Sequence, residues 1–262
     1  MSLPNPAADP VSELLQVLLE GLQQVLGERL TGVYLRGSLA LGDFDPETSD
    51  IDFLAATAVA ITEKQFSLLQ DLHARIADRP NPYAKELEGA YIDVQSLRRY
   101  RPNEKFPTIA RGESLQWAEH GANWVLERWA VREHGISLWG PEPRTLIDPV
   151  STEDIRRAVS VRLQDWSEWA EWASDMEHPA WLLPLSHKAY VVETMCRALY
   201  TLETGGLCSK RHAVDWACAM LPDPWRRLVR QSRAWSTNLA IPERSVISEV
   251  ARFVRWAASM AD

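Results

Sequence analysis

The sequence predicts an α+β domain, in which helices cover a small mixed sheet, followed by an all-α helical bundle. Before residue 110, short runs of β-forming residues alternate with amphipathic helical segments. After that point the pattern is helical almost throughout. All 12 tryptophans lie at or after Trp117, which is an abrupt change for one continuous domain. We therefore predict one domain at residues 1–110 and a second at residues 111–262.

The composition is that of a folded, acidic protein. With 262 residues, 46% of them hydrophobic, the chain can bury a substantial core. The net charge of −8 disfavours unassisted nucleic-acid binding. No apolar run approaches the roughly 18 residues of a membrane span, and no basic leader precedes an apolar stretch. We expect a cytoplasmic protein with no membrane or nucleic-acid partner, and a monomer is favoured.

The three cysteines are the remaining compositional signal. Cys196, Cys208 and Cys218 are odd in number and lack the short paired spacing of a zinc site. We expect them to be reduced residues of the core.

Two helices are predicted in the first domain. Residues 9–30 place apolar residues at helical spacing after Asp9 or Ser12, either of which can cap the helix. A second helix begins with a capping box formed by Thr62 and Gln65 and ends before the break RPNP.

Three strands complete the first domain. GVYL at residues 32–35 and the apolar run that follows Asp50 are the first two. The third is GAYIDVQSL at residues 89–97, whose alternation places Asp93 on its polar face. The order helix, strand, strand, helix, strand predicts a small mixed sheet with helices packed on it.

The second domain is predicted to contain five or six helices. The segments 112–135 and 151–176 open it, and the second of these has a capping pair at Ser151 and Asp154. Trp166, Trp169 and Trp172 recur there at every third residue, for which helix packing is favoured over an aromatic wall for a ligand. A later helix ends at Gly205-Gly206.

The stretch RGSLALGDFDPETSDIDF at residues 36–53 carries the chemistry. It lacks the Lys-Ser/Thr of a P-loop, and Thr48 and Leu54 stand where a calcium loop needs glycine and an acid. Asp50 and Asp52, two apart at the start of a strand, project to one face about 7 Å apart. Such a pair repels unless a cation lies between the carboxylates, and the magnesium of a nucleotide is such a cation.

Other residues extend this acidic pair. Gly37 lets a phosphate approach the backbone, and Ser38 offers a hydroxyl and an amide to it. Asp93 supplies a third carboxylate on a strand that can lie beside the first pair.

This arrangement resembles the nucleotidyltransferase superfamily, in which Gly-Ser, a turn and Asp-x-Asp mark the active site and a third acid follows on a later strand. More closely, the chain resembles the streptomycin/spectinomycin (aminoglycoside) adenylyltransferases. The likeness includes VYLRGSLALGDFDPETSDIDFL, YIDVQSL, ETMCRALYTLETG and SKRHAVDWACAMLP. It implies a nucleotidyltransferase domain followed by an all-helical domain that closes over nucleotide and acceptor. It also implies magnesium-dependent transfer of AMP from ATP to an antibiotic hydroxyl, with release of pyrophosphate.

The resemblance assigns catalytic roles to individual residues. Asp50 and Asp52, together with Asp93, hold two magnesium ions. Asp93 occupies the position of the catalytic base, which is a glutamate in the best-known members. Glu86 and Glu88 are the substitutes, although both precede the predicted strand and are expected to face solvent.

The resemblance also assigns binding residues. Those for the nucleotide are Gly37, Ser38, Ser49, Lys210 and Trp235. Those for the acceptor are Trp117 and His187, although at Trp117 a buried tryptophan with no ligand is favoured. Lys188 beside His187 is expected to repel a cationic drug.

Other functions stay open at this point. The same chemistry on another small-molecule or protein hydroxyl is one, because His187 and Lys188 replace the acids of the drug-binding turn. A non-catalytic nucleotide-binding module is another, disfavoured by the three carboxylates. RNA polymerisation is more distant because the chain lacks a basic track.

Overall fold

The computed structural model describes residues 9–173 and 179–261. The chain divides into two compact units, with the boundary between Pro149 and Val150. The boundary therefore lies later than the predicted residue 110. The physical reason is strand pairing, since residues 111–149 add two strands and two helices to the first unit. The tryptophan-rich composition begins before the second unit does.

The first unit is built on one mixed sheet. In spatial order its strands are β5 (Gln116–Glu119), β4 (Lys105–Ile109), β3 (Leu87–Asp93), β2 (Ile51–Thr57), β1 (Leu30–Leu35) and β6 (Ile136–Trp139). β2 and β3 are parallel, and every other neighbouring pair is antiparallel. All seven residues of β2 are buried, as expected of a central strand that is covered on both faces.

Helices cover this sheet on both faces. They are α1 (Pro10–Leu26), α2 (Gly37–Leu41), α3 (Glu63–Ala77), α4 (Val94–Arg98), α5 (Asn123–His134) and α6 (Pro143–Leu146). The Asp9 side chain accepts a hydrogen bond from the Val11 amide at the start of α1. The predicted capping box of Thr62 and Gln65 is present at the start of α3. Both caps confirm the sequence prediction.

The two faces of the sheet have separate cores. Phe53 and Tyr91 belong to the core that includes the apolar side chains of α1 and α3. Tyr34, Leu54 and Ala90 belong to the core that includes side chains of α5. Side chains alternate along a strand, so the parity of a residue decides which helix layer it meets.

Two predicted elements of this unit differ from the structure. The strand predicted at residues 89–97 is β3, which ends at Asp93, and α4 follows directly. The Asp93 carboxylate accepts hydrogen bonds from the amides of Gln95 and Ser96, and this cap stops the strand. The region 112–135, predicted as helical, contains β5 before α5, because residues 116–119 pair with β4.

The second unit is helical where the structure describes it. Its α-helices are α7 (Thr152–Ala173), α8 (Leu185–Thr204), α9 (Lys210–Met220), α10 (Trp225–Ser232) and α11 (Arg244–Ala258). This agrees with the predicted bundle, although residues 174–176 of the first predicted helix lie outside the described residues. Gly205 ends α8 in the left-handed conformation, as predicted.

Trp166 and Trp169 are half-buried, and their rings lie 5.4 Å apart edge to face, in the packing role that was favoured for them. Trp172 is 56% exposed, so it does not pack in the same way. The three cysteines are free, with Cys196 and Cys208 buried. Among the described residues, no helix is both long and apolar enough to cross a membrane.

The buried His73 is expected to lower the free energy of unfolding as the pH falls into the acid range. Its Nε2 lies 2.7 Å from the buried Tyr91 hydroxyl, and burial lowers the pKa of His73 from its ordinary 6.5 to about 4. Between these pH values the unfolded chain binds a proton that the folded chain does not. Its contribution is therefore full above pH 6.5, and the free energy of unfolding falls by at most about 3 kcal/mol as the pH drops to 4.

Urea unfolding followed by circular dichroism across this pH range tests the prediction. His73→Gln is less stable than wild type at pH 7, and the difference shrinks as the pH falls. His134→Gln, at an exposed position, keeps the wild-type pH profile. A constant difference between wild type and His73→Gln would contradict the assignment.

Candidate active site

The turn after β1 places a glycine directly against a carboxylate. Gly37 has φ +62°, a left-handed conformation, and begins the short helix α2. A Cβ atom on Gly37 would lie 1.8 Å from Asp52 Oδ2. Both the backbone angle and the close approach exclude a side chain at this position. The glycine of the Gly-Ser motif is therefore required because Asp52 of the neighbouring strand β2 occupies the space of a side chain.

A buried guanidinium lies among acids beside this turn. Arg36 Nη1 is 2.9 Å from Asp52 Oδ1 and 2.8 Å from Glu127 Oε2 on α5. Arg36 Nη2 is 3.6 Å from Glu88 Oε1. The guanidinium carbon also lies 5.9 Å from the ring centroid of Trp124. One arginine thus joins β2, β3 and α5 at the end of the sheet.

These charges perturb one another's pKa. Burial raises the pKa of Asp52 to about 7, opposed by Arg36 and reinforced by Asp50 and other acids. For Arg36, burial acts to lower the pKa, but the coulombic effect of Glu127 and the neighbouring acids is larger, so the pKa is raised. Arg36 is therefore charged at every physiological pH.

The structure places Glu88 beside Asp52, whereas Asp93, the predicted third acid of the site, lies at the other end of β3. In the parallel register Asp52 is paired with Glu88, whereas Asp93 is paired with Thr57. Glu88 and Asp93 are five positions apart, which is about 16 Å along a strand. Asp93 caps α4 instead. Glu88 lies within β3, contrary to the expectation that it precedes the strand.

The remaining motif residues occupy the same end of the sheet. Asp50 is partly exposed and directly precedes β2. The Ser38 hydroxyl is buried and has no hydrogen-bond partner within the described part of the chain. The Ser49 hydroxyl accepts a hydrogen bond from the Asp45 amide at 2.9 Å, so it closes the turn before β2. Ser38 is thus the hydroxyl with a capacity to bind a ligand.

The charge of this cluster fits a bound divalent cation. Asp50, Asp52, Glu88 and Glu127 all act electrostatically on Arg36. Four carboxylates around one guanidinium leave a clear excess of negative charge, which an oxygen-binding ion such as magnesium can neutralise. Among the described residues, no three acids, histidines or cysteines converge as a ready-made metal site. Arg36 lies between them.

A cavity of about 180 Å³ adjoins the acids. Its wall includes Glu88, Glu127 and Arg36 from the cluster, together with Thr108 and Trp124. Pockets for small molecules typically measure about 300–1,000 Å³. The cavity therefore has room for one ring of a ligand next to the Glu88 carboxylate.

The candidate nucleotide residues of the second unit are positioned by α9 and the 3-10 turn after α10. Lys210 is the first residue of α9, and its Nζ lies 4.9 Å from the ring centroid of Tyr190. Trp235 ends the 3-10 turn Arg233–Trp235 and is partly exposed. Each remains a candidate by resemblance.

The acceptor candidates differ from what the sequence indicated. Burial, reinforced by Lys188, lowers the pKa of His187 to about 4, so His187 is neutral at pH 7. Lys188 is fully buried, with its Nζ 5.7 Å from the ring centroid of Trp169, and burial lowers its pKa to about 8. Trp117 is 38% exposed and stacks on Phe66 with ring centroids 5.3 Å apart, so the buried-tryptophan alternative is wrong.

Sequence reasoning missed the two residues that complete the cluster. Arg36 lies two residues after Tyr34, so both side chains point to the same face of the sheet. Because Tyr34 packs in the core that includes side chains of α5, the direction of the Arg36 side chain could have been predicted. Glu127 shares a helix face with Trp124 and Val131, both buried, which marks it as a charged residue beside the core. The position of Glu88 beside Asp52 depends on the register between the parallel strands β2 and β3, which the sequence does not reveal.

Replacement of Gly37 tests the contact with Asp52. Gly37→Ala and Gly42→Ala both add a side chain at positive φ, but only at Gly37 would the new Cβ meet another group within 4 Å. We expect Gly42→Ala to lower the free energy of unfolding by about 1 kcal/mol, and Gly37→Ala by about 2 kcal/mol more. Chemical denaturation measures both, and equal losses would contradict the close approach.

Comparison with known proteins follows the same division of the chain. Residues 145–260 match the family model described as the C-terminal domain of aminoglycoside adenylyltransferase. This match covers 44% of the chain and includes α7–α11 but not the acid cluster. A solved structure, spectinomycin adenyltransferase AAD(9) from Enterococcus faecialis with ATP and spectinomycin, superposes with a TM-score of 0.75 at 16% identity. The superposition covers 94% of this chain and 98% of the Enterococcus chain, so the two proteins share a fold.

Curated relatives extend across both units. An aminoglycoside (3'')(9) adenylyltransferase of Klebsiella pneumoniae is 25% identical over 240 residues, covering 85% of this chain and 84% of the relative. One from Rhizobium radiobacter is 29% identical over 240 residues, covering 85% and 82%. A spectinomycin 9-adenylyltransferase of Staphylococcus aureus is 25% identical over 216 residues, covering 78% and 76%. By sequence and fold the chain thus resembles the aminoglycoside adenylyltransferases over most of its length, which supports a nucleotidyltransferase enzyme.

Proposed function

We propose that this protein transfers AMP from ATP to a hydroxyl of an aminoglycoside-type antibiotic and releases pyrophosphate. The observation that carries the proposal is the pairing of Asp52 with Glu88 on adjacent parallel strands. The carboxylate of Asp52 lies against the backbone of Gly37. The names of the relatives supply the class of acceptor.

The phosphate end of the site is formed by residues 37–52. Asp50 and Asp52 would hold magnesium, which when bound neutralises the phosphate charge that develops during transfer. The Ser38 hydroxyl, buried without a partner among the described residues, is available to donate to a phosphate oxygen. Gly37 allows close backbone approach because it lacks a Cβ atom.

Glu88 is proposed as the general base in place of Asp93. Its carboxylate borders the cavity in which an acceptor ring fits. There it takes the proton of the acceptor hydroxyl while the new bond forms between that oxygen and the α-phosphorus and the bond to pyrophosphate breaks. Arg36 Nη2, 3.6 Å from Glu88 Oε1, is a cation beside this carboxylate.

The second unit contributes binding residues by resemblance. Lys210 is proposed to bind the nucleotide phosphates and Trp235 to stack on the base. His187 and Trp117 are proposed contacts of the acceptor. His187 is neutral at pH 7 and adds no positive charge to this turn. Lys188, with a pKa of about 8, is still mostly protonated at pH 7, so the repulsion of a cationic drug that the sequence indicates remains.

A carboxamide series distinguishes the two candidate bases. We expect Glu88→Gln to lower kcat by about 100-fold or more, since general bases contribute about 10²–10⁴. Asp93→Asn removes the other carboxylate but keeps a good helix cap, so kcat and stability stay near wild type. Pyrophosphate release measures both variants. Loss of turnover in Asp93→Asn with normal turnover in Glu88→Gln would reverse the assignment.

The acceptor is tested with magnesium, ATP and either streptomycin, spectinomycin or no acceptor. We expect pyrophosphate release that depends on a drug and falls by at least about 100-fold in Asp50→Asn, because a metal-binding carboxylate is lost. Drug-independent release that persists in Asp50→Asn would reject the proposed site. Nucleotide binding with no release for either drug would redirect the search to other hydroxylated acceptors.

A further inference from the structure

The ion pair between Arg36 and Glu127 is not explained by the motif chemistry. Arg36 Nη1 is shared between Asp52 Oδ1 at 2.9 Å and Glu127 Oε2 at 2.8 Å. One of these acids belongs to the Asp-x-Asp pair and the other to α5. The same nitrogen therefore links the metal-binding strand to a helix that carries no motif residue.

Arg36 and a metal ion are alternative partners of Asp52. Arg36 is only 6% exposed, and a guanidinium buried to this degree is costly without an acidic partner. If Asp52 were the sole partner, a metal that took over this carboxylate would leave the arginine unpaired. Glu127 prevents that, because it can keep Arg36 paired while Asp52 binds another cation.

The surroundings fit an arginine that is held in place during such an exchange. The Trp124 ring, on the same helix as Glu127, lies 5.9 Å from the guanidinium carbon. Arg36 Nη2 faces Glu88 at 3.6 Å, which is beyond a direct hydrogen bond. The tight contacts are thus those to Asp52 and Glu127, and the exchange needs only the first of them to open.

We infer that Arg36 is the resident counter-ion of Asp52, and that Glu127 holds Arg36 so that magnesium replaces it on Asp52 without stranding the guanidinium. This inference rests on the proposed function, because it assigns magnesium to Asp50 and Asp52. Arg36 and Glu127 are positioning residues in this scheme. Loss of the arginine removes a competitor for Asp52, whereas loss of Glu127 leaves Arg36 dependent on Asp52.

The two members of the ion pair therefore change magnesium binding in opposite directions. The full-length protein is titrated with magnesium chloride in the presence of a non-hydrolysable ATP analogue, and binding is followed by calorimetry at about 0.15 M salt, where distant charges are screened. We expect Arg36→Gln to lower the half-saturating magnesium concentration about tenfold and Glu127→Gln to raise it about tenfold, each tenfold change corresponding to 1.4 kcal/mol.

A second ion pair of the same unit supplies matched controls. Arg98 Nη1 lies 3.0 Å from Asp148 Oδ1, away from the acid cluster. Arg98→Gln and Asp148→Asn change the same charges and are expected to keep the wild-type magnesium requirement. Equal shifts in these controls would show a general charge effect and overturn the inference.

A purely structural ion pair gives a different result. In that case both variants lower stability and neither alters the magnesium requirement, or both raise it, and the inference is wrong while the proposed function stands. If Arg36→Gln does not fold, Glu127→Gln decides alone, and an unchanged magnesium requirement overturns the inference. If the wild-type protein binds the analogue without any dependence on magnesium, the proposed function fails and this role fails with it.

Discussion

The buried contact between Arg36 and Asp52 is the interaction on which the candidate site depends. Two charges at 2.9 Å in the interior are costly to desolvate, and one alone would be costlier still. The fold compensates with Glu88 from β3 and Glu127 from α5 around the same guanidinium. The absence of a side chain at Gly37 leaves room for the second oxygen of Asp52. Strand pairing, the α5 layer and the turn after β1 thus converge on one carboxylate.

The way this carboxylate is held is compatible with the proposed binding of a polyanion by an acidic protein. The pKa of Asp52 is raised mainly by burial and lowered by Arg36, so the arginine opposes its neutralisation. The cluster nonetheless retains more negative than positive charge, and in the proposed function this excess would attract a divalent cation and, through it, a triphosphate. Glu88 lines a cavity in the same unit, so the proposed base, metal site and acceptor space would be adjacent.

The sequence predicted the parts of this arrangement that are local in the chain. The Gly37-Ser38 turn, the position of Asp50 and Asp52 at the start of a strand, and the caps of α1 and α3 all follow from short-range spacing. The sequence indicated Asp93 as the acid beside Asp50 and Asp52, whereas the structure places Glu88 there. The difference arises because the placement depends on which residue of β3 lies opposite Asp52, and parallel register is set by long-range packing. The domain boundary was misplaced for a similar reason, since β5 and β6 join the sheet through pairing that composition does not reveal.

The most direct test of the site is a crystal structure of the protein with manganese and a non-hydrolysable ATP analogue, read from the anomalous signal of the metal. We predict manganese bound by the carboxylates of Asp50 and Asp52, with the triphosphate against Gly37 and Ser38 and with Glu88 facing the α-phosphate. Manganese bound at Asp93, or a triphosphate bound away from the turn after β1, would contradict the account.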